Sequence, residues 1–297
     1  MALRLAVLGS GSGGNATLIE GGGARLLVDA GFSCRGLVQR LRYVGVEPEE
    51  IDAILITHEH GDHLGGAAAF SASFGVPIYC TRGTARAAGI ALEGAEPAFR
   101  PLFAVAEASP DEPAAPVARP VEAGRAFDIE SLTVRAFGVP HDAVETVGFI
   151  VSDGTGGAGA AGGAGSAGRH AGGATVGYAT DLGHVPAAVR DWLKDCDLLI
   201  MEANHDVGML RAGPYPEAVK ERVLSRHGHL DNLAAADLLC DVARERTRTV
   251  VLAHLSRTNN HPDLALDAVR RRFAEHGRRA PVLMAADQAR PGAWLDA

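Results

Sequence analysis

Four side chains able to bind a metal, His58, His60, Asp62 and His63, crowd into six residues directly after the apolar run 51–56. A short apolar run of this kind suits a strand buried on both faces. The donors then stand where that strand gives out. A helix would not gather them, because positions 58 and 60 would point about 200° apart. A tight loop can, and Gly61 is expected to permit its sharp turn. Imidazole suits Zn, Fe and Mn alike, and a mixed imidazole–carboxylate set suits a hydrolytic metal with open positions. Read as a merely solvated polar loop, the segment leaves three histidines at a strand's mouth without a reason.

Around this segment strands and helices alternate. Residues 3–8, 16–20 and 25–29 are short apolar runs parted by GSGSGGN and GGG, the pattern of strands joined by glycine turns. Residues 36–44 and 65–74 have helical spacing, and 76–80 reads as a strand. The Pro-, Ala- and acid-rich residues 107–122 predict a surface loop. Strands follow at 132–139 and 146–152. Residues 153–174 are low in complexity and have no large apolar side chain to bury. They predict a flexible tip between hairpin strands 147–152 and 175–180. Helices at 186–194, 216–225, 233–245 and 263–276 then alternate with strands at 198–202, 249–253 and 282–286. The sum is an α/β fold, one domain over 1–297, arranged as a four-layer αββα sandwich.

Composition removes several classes. Apolar residues are 47% and charged residues 22% of 297, a globular balance. A net charge of −8 excludes a chain that grips nucleic acid by bulk charge. The charge is uneven, however. Between Arg211 and Arg279 there are 13 basic and 9 acidic residues, against 15 and 27 elsewhere. Cys34, Cys80, Cys196 and Cys240 lie far apart with no CxxC pair, which predicts reduced thiols. No leader peptide pattern opens the chain and no run nears 18 apolar residues, so the expectation is a cytoplasmic protein without membrane contact. Aromatics at 5% offer no evident base-stacking platform, so a nucleic acid would be held by its backbone.

THEHGDHLGG resembles the HxHxDH motif of the metallo-β-lactamase superfamily, and LLVDAG at 26–31 resembles its strand ending in an Asp-x-Gly turn. The strand ends Val139-Pro140-His141, Ala179-Thr180-Asp181 and Leu252-Ala253-His254 match that family's remaining ligands in type and order. The resemblance implies two divalent metal ions, Zn, Mn or Fe. His58, His60 and His141 would hold one and Asp62, His63 and His254 the other, with Asp181 and a hydroxide between them. Asp29 would stand behind the ligands and orient them. Asp at 181, where true β-lactamases of the family commonly have Cys, points away from β-lactam hydrolysis. The opening GSGSGGNATLI, MEANHD at 201–206, LSRHGHLDN at 224–232 and LAHLSRTNN at 252–260 resemble the YycJ-like subfamily, with Asp231 where Ser is usual. That likeness implies a DNA exonuclease, with DNA ahead of RNA as partner, and catalytic roles for Asp62, Asp181 and His229.

Phosphodiester chemistry suits these residues. A dinuclear site about 3.5–4 Å wide can hold both the attacking hydroxide and a phosphate oxygen. His229, ahead of the helix expected from about Asn232, could protonate the leaving oxygen, while that helix's free N–H groups hold phosphate. Ser10, Ser12 and Asn15 lie in a glycine-rich turn without the Lys-Ser/Thr of a P-loop, and are expected to brace the catalytic loops. His205 is expected to support the Asp181 loop or meet substrate, and His184 to be a neighbour of the site. His170, His227, His261 and His276 are expected to take no part. A small-molecule hydrolase for cyclic phosphates or thioesters, and a non-catalytic binding protein, stay open as alternatives.

Overall fold

The runs TVVLA and LLIME are apolar at nearly every position, so their strands need cover on both faces. The computed structural model, which describes residues 2–94, 117–154 and 173–297, supplies that cover with two sheets packed face to face and helices outside both. The first sheet contains β1 (Arg4–Gly9), β2 (Ala16–Gly21), β3 (Ala24–Val28), β4 (Ala53–Leu55), β5 (Ile78–Thr81), β6 (Ala91–Leu92) and β7 (Val117–Val121). The second contains β8 (Ala126–Ile129), β9 (Leu132–Gly138), β10 (Val147–Ser152), β11 (Thr175–Ala179), β12 (Leu198–Glu202), β13 (Thr249–Ala253) and β14 (Val282–Ala285). A last strand, β15 (Leu295–Asp296), returns to the first sheet beside β1. The strand orders are β15-β1-β2-β3-β4-β5-β7-β6 and β14-β13-β12-β11-β10-β9-β8.

Alternation along the strands divides the core into three. On β13, Val251 and Ala253 join the layer between the sheets, while Val250 and Leu252 face outward. On β12, Leu198 and Ile200 point inward and Leu199 and Met201 outward. The first sheet is covered by α1 (Cys34–Tyr43), the single turn α2 (Gly61–Leu64), α3 (Ala67–Phe74) and α4 (Arg82–Ala88). Over the second lie α5 (Ala187–Leu193), α8 (Asn232–Val242) and α9 (Pro262–Glu275). Between α5 and α8 in sequence, α6 (Val207–Ala212) and α7 (Glu217–Leu224) flank the site. This is the expected αββα sandwich. No helix among the described residues is long and apolar enough to cross a membrane.

Both sheets change from antiparallel to parallel pairing part-way: after β3 in one and after β11 in the other. The parallel strands therefore bring several carboxyl ends together, the usual place for a ligand site in such sheets. One expectation fails here. Residues 117–121 form β7, a strand, where a loop was expected. Pro120 sits opposite β5, and β6 reaches only Val117 and Ala118, so its missing N–H costs no ladder bond on that side. The expected hairpin pairs Ser152 with Thr175, and Asp153 Oδ1 accepts from Ala174 N–H at 2.7 Å at its neck. Residues 107–116, and 155–172 of the tip with His170 among them, lie outside the described residues.

Candidate metal centre

Every expected donor stands just past a strand. His58 to His63 follow β4, His141 follows β9, Asp181 follows β11 and His254 follows β13. Asp29, Asp181 and His254 have φ of 60°, 61° and 54°, a left-handed conformation that costs a non-glycine residue about 1–3 kcal/mol. At all three the strand's alternation is broken as the chain enters the site. The 58–63 segment departs from the expected loop. His60 is the N-cap of α2, and Asp62 and His63 lie on that helical turn. Gly61 does not supply a special turn, since a Cβ there would meet nothing. Gly31 is the glycine that matters, because a Cβ on it would lie 1.7 Å from the Asp62 carbonyl oxygen.

The structure brings the seven expected donors together. Ligand atoms of His58, His60 and His141 lie within 4.8 Å of one another, as do those of Asp62, His63 and His254. Asp181 touches both groups: its Oδ2 is 3.2 Å from His63 Nε2 and its Oδ1 is 3.8 Å from His141 Nε2. The outer nitrogens of His58, His63, His141 and His254 are engaged, which favours one tautomer for each. His63 donates Nδ1–H to Asp29 Oδ2 at 2.7 Å, and His141 donates Nδ1–H to the Gly228 carbonyl at 3.1 Å. His254 donates Nδ1–H to Glu202 Oε1 at 3.0 Å. Thr57 Oγ1 donates to Asp29 and, at 3.0 Å, can accept from His58 Nδ1–H. In its neutral form that tautomer turns Nε2 of each ring, without a proton, toward the site.

The donor set fits divalent cations. His58 Nε2 and Asp181 Oδ2 are buried and have no hydrogen-bond partner among the described residues, a costly arrangement unless a cation is the partner. Burial, with His63 adding to it, holds His58 well below the usual imidazole range, so it is a neutral ligand. Burial disfavours charge on Asp181, yet His254 and His63 outweigh it and hold the carboxyl well below its usual range. Burial would also lower His254, but Asp181, Asp62 and Glu202 raise it to about 10. The carboxylates thus demand positive charge at the centre, and metal can meet that demand as protons leave.

Two features were not legible beforehand. Glu202, fully buried, accepts from His254 and also from His229 Nδ1–H at 2.8 Å, while its other oxygen takes the N–H groups of Leu182 and Leu230. Burial opposes its charge, but His229 and His254 hold it down at about 2. In turn Glu202 raises His229 against the effect of burial. Secondly, Asn232 and Asn260 exchange amide hydrogen bonds at 2.8 and 2.9 Å, Asn260 also donates to Ala203 O, and Asn204 donates to His254 O. The asparagines of the two late motifs are therefore clasps between loops. The signal was their recurrence after a Gly-His and a His-Leu-Ser, but only packing shows that they meet.

The remaining expectations divide. Ser10 Oγ accepts from His254 N–H at 2.8 Å and Asn15 donates to Asp62 O, so the glycine-rich turn braces two donors of the second group. The helix expected to hold phosphate is closed: Asp231 caps α8, accepting from Leu233 and Ala234 N–H, so its N-terminus is already met by a carboxylate. His229 N–H is bonded to Val223 O, away from that helix. His205 is 1% exposed, gives its carbonyl to Asn232 N–H and neither lines the cavity nor hydrogen-bonds the Asp181 loop. His184 bonds Arg226 O outside the donor groups. His227 is exposed, and His261 and His276 cap the two ends of α9.

A cavity of about 260 Å³ opens on the donors, with Ser12, Asn204, Ser256 and His229 in its wall. The Beta-lactamase superfamily domain matches residues 24–255. The chain belongs to the metallo-β-lactamase superfamily. It is 30% identical over 278 residues to exodeoxyribonuclease YycJ of Bacillus anthracis, covering 93% of this chain and 91% of that one. It is 31% identical over 225 residues to ribonuclease TTHA0252 of Thermus thermophilus, covering 70% of this chain and 44% of that one. Among solved structures, the metallo-β-lactamase fold protein YhfI from Bacillus subtilis matches over 100% of both chains, with a TM-score of 0.66 and 16% identity. This superfamily member is a metal-dependent hydrolase, and its fold implies divalent metal ions.

Proposed function

We propose that this superfamily member is a two-metal phosphodiesterase that removes nucleotides from DNA ends. The carrying observation is that two groups of donors meet at Asp181 beside a histidine, His229, whose far side is anchored by a buried carboxylate. In this reading His58, His60 and His141 hold one ion, Asp62, His63 and His254 the other, and Asp181 spans them. When bound, Zn, Mn or Fe would supply a water-derived nucleophile at neutral pH and offset charge on a phosphate oxygen.

The chain's own groups do the rest. Asp29, Glu202 and the Gly228 carbonyl hold three imidazoles in the tautomer that turns Nε2 inward. His229 gives its Nε2 proton to the departing oxygen, and Glu202 stabilises the imidazolium beforehand through Nδ1–H. Nucleic acid as substrate is supported by the exodeoxyribonuclease likeness over nine-tenths of the chain. The ribonuclease likeness makes RNA the competitor.

The test is turnover of metal-loaded protein on single-stranded DNA, linear duplex DNA, matched RNA and bis-(p-nitrophenyl) phosphate, with elemental analysis alongside. The expectation is close to two equivalents of transition metal and stepwise release of nucleotides from DNA. One equivalent in excess metal would remove the dinuclear scheme. RNA turned over faster than DNA would reassign the substrate, and turnover of small esters alone would favour a small-molecule hydrolase.

A further inference from the structure

The cavity wall is polar apart from one stretch of chain. Serines, asparagines and the donor groups make up most of it, whereas Tyr215 and Val223 contribute its apolar part, with Arg222 between them. Among the described residues, Tyr215 is the one aromatic besides the histidines in that wall. It stands half-buried on the turn between α6 and α7, and no hydrogen bond ties its hydroxyl to the described residues. A tyrosine held for its own packing would be buried, and one held for its hydroxyl would have a partner.

The turn that carries it is nonetheless firmly built. The buried Lys220 donates to Arg211 O at 2.9 Å and to Glu217, closing the turn from inside. Gly213 packs so tightly on Asn259 that a Cβ there would lie 2.5 Å from the Asn259 Oδ1. Arg222 is ion-paired with Asp142, the neighbour of His141. The turn thus holds an aromatic residue, Tyr215, and a cationic one, Arg222, in the wall of the same cavity as the donor groups. A nucleotide has the same division, a flat apolar base and an anionic phosphate.

We propose that Tyr215 is the platform on which the base next to the scissile phosphate stacks, so that this site takes an unpaired terminal nucleotide. The inference rests on the phosphodiesterase reading above and specifies its substrate. A lone aromatic inside a cavity of about 260 Å³ reaches only a base that has left its helical stack. Stacking is indifferent to base identity, since every base has a π-face, so the device selects unpaired ends without selecting sequence.

The experiment compares wild type, Tyr215→Ala, Tyr215→Phe and Tyr215→Leu on single-stranded oligodeoxynucleotides. One set ends in an ordinary nucleotide and the other in an abasic one at the end that wild type attacks. Tyr215→Ala is expected to raise KM on the ordinary end about 5- to 150-fold, the worth of one base–aromatic contact, with kcat and metal content little changed. Tyr215→Phe should stay within about twofold of wild type on that principle, because the ring and not the hydroxyl is used. Tyr215→Leu fills the turn without an aromatic face and should behave like Tyr215→Ala, which separates stacking from collapse of the loop. On the abasic end all four proteins should agree. Unchanged KM in Tyr215→Ala, or an equal loss on both ends, would overturn the inference while leaving the phosphodiesterase reading intact. Wild type inert on every DNA end would overturn that reading and this one with it.

Discussion

The two halves of the metal centre are built differently. On one side, His58, His60, Asp62 and His63 arrive on a single short stretch between β4 and α3, and a strand end followed by one helical turn aims all four. On the other, the donors His141, Asp181 and His254 come from three loops far apart in sequence, and Glu202 joins the loops of Asp181, His254 and the neighbouring His229 from behind, with the Asn204, Asn232 and Asn260 clasps. Contiguous donors can be organised by backbone geometry, with Asp29 and Asn15 as braces. Scattered donors need a buried polar network, because nothing local fixes one loop against another.

That contrast is open to test at graded strength. The largest effect belongs to the contiguous side. Asp62→Ala removes a donor that no neighbour can replace, so turnover should fall by about 10³-fold or more. Bound metal should drop towards one equivalent, while the circular dichroism spectrum stays that of wild type. Full metal content with lost turnover would mean that Asp62 acts on substrate instead. Next, His229→Ala should lower kcat about 10²- to 10⁴-fold on DNA with metal content unchanged. The defect should shrink on a p-nitrophenyl ester, whose leaving group needs no proton. An equal defect on both would assign His229 to phosphate binding.

Glu202→Gln tests the scattered side directly. It leaves the side chain's volume but offers one carbonyl to two imidazoles and two backbone N–H groups. Metal affinity or turnover should fall about 10- to 100-fold, the usual cost of losing an orienting partner. A titration matching wild type would show that the donors hold themselves in place. Asn232→Ala should lower stability by about 1–3 kcal/mol, because both amide bonds to the buried Asn260 are lost, leaving it only Ala203 O and His261 N–H. The shift would be read as a lower denaturant midpoint at constant slope.

The smallest effect is a control at the remote end of the same sheet. Asp197 accepts from Thr175 N–H and from Arg246. Burial works against its charge, but Arg246 and Thr175 hold its pKa below the ordinary 3.8. A depressed carboxyl stabilises the fold above its unfolded pKa and loses that contribution as pH falls through the folded value. Asp197→Asn should therefore cost about 1 kcal/mol at pH 7, at the low end because Arg246 is partly exposed. The gap from wild type should narrow as pH falls below the ordinary carboxyl value and close once the folded carboxyl is protonated, with metal content and turnover at pH 7 untouched. A gap that persisted in acid would mean that the loss is one of packing.

Much of this was legible in the residues themselves. Apolar runs such as TVVLA and the alternation of strands with helices decided the layered α/β fold, because both sheet faces must be covered. The HEHGDH cluster was legible by its own crowding after an apolar run, whereas His141, Asp181 and His254 were singled out through the family resemblance, since one such residue after a strand is a weak signal alone. Residues 117–121 misled because their Pro and Ala composition speaks for a loop, whereas pairing with β5 decides otherwise. His229 does line the cavity, but the phosphate-binding helix end expected beside it fails, since the Asp231 carboxylate occupies it.

What the sequence determined by itself is local: which segments are strands and helices, which side chains can bind a metal, and which end of each strand they follow. Only the tertiary structure decided that Glu202 serves His229 and His254 together, that Asn232 finds Asn260, and that Tyr215 shares a cavity with the donors. Periodicity and composition act through neighbours along the chain and so leave a trace in the sequence. A hydrogen bond between loops about 30 or 50 residues apart leaves none, because it depends on where the packed sheets happen to bring two backbones together.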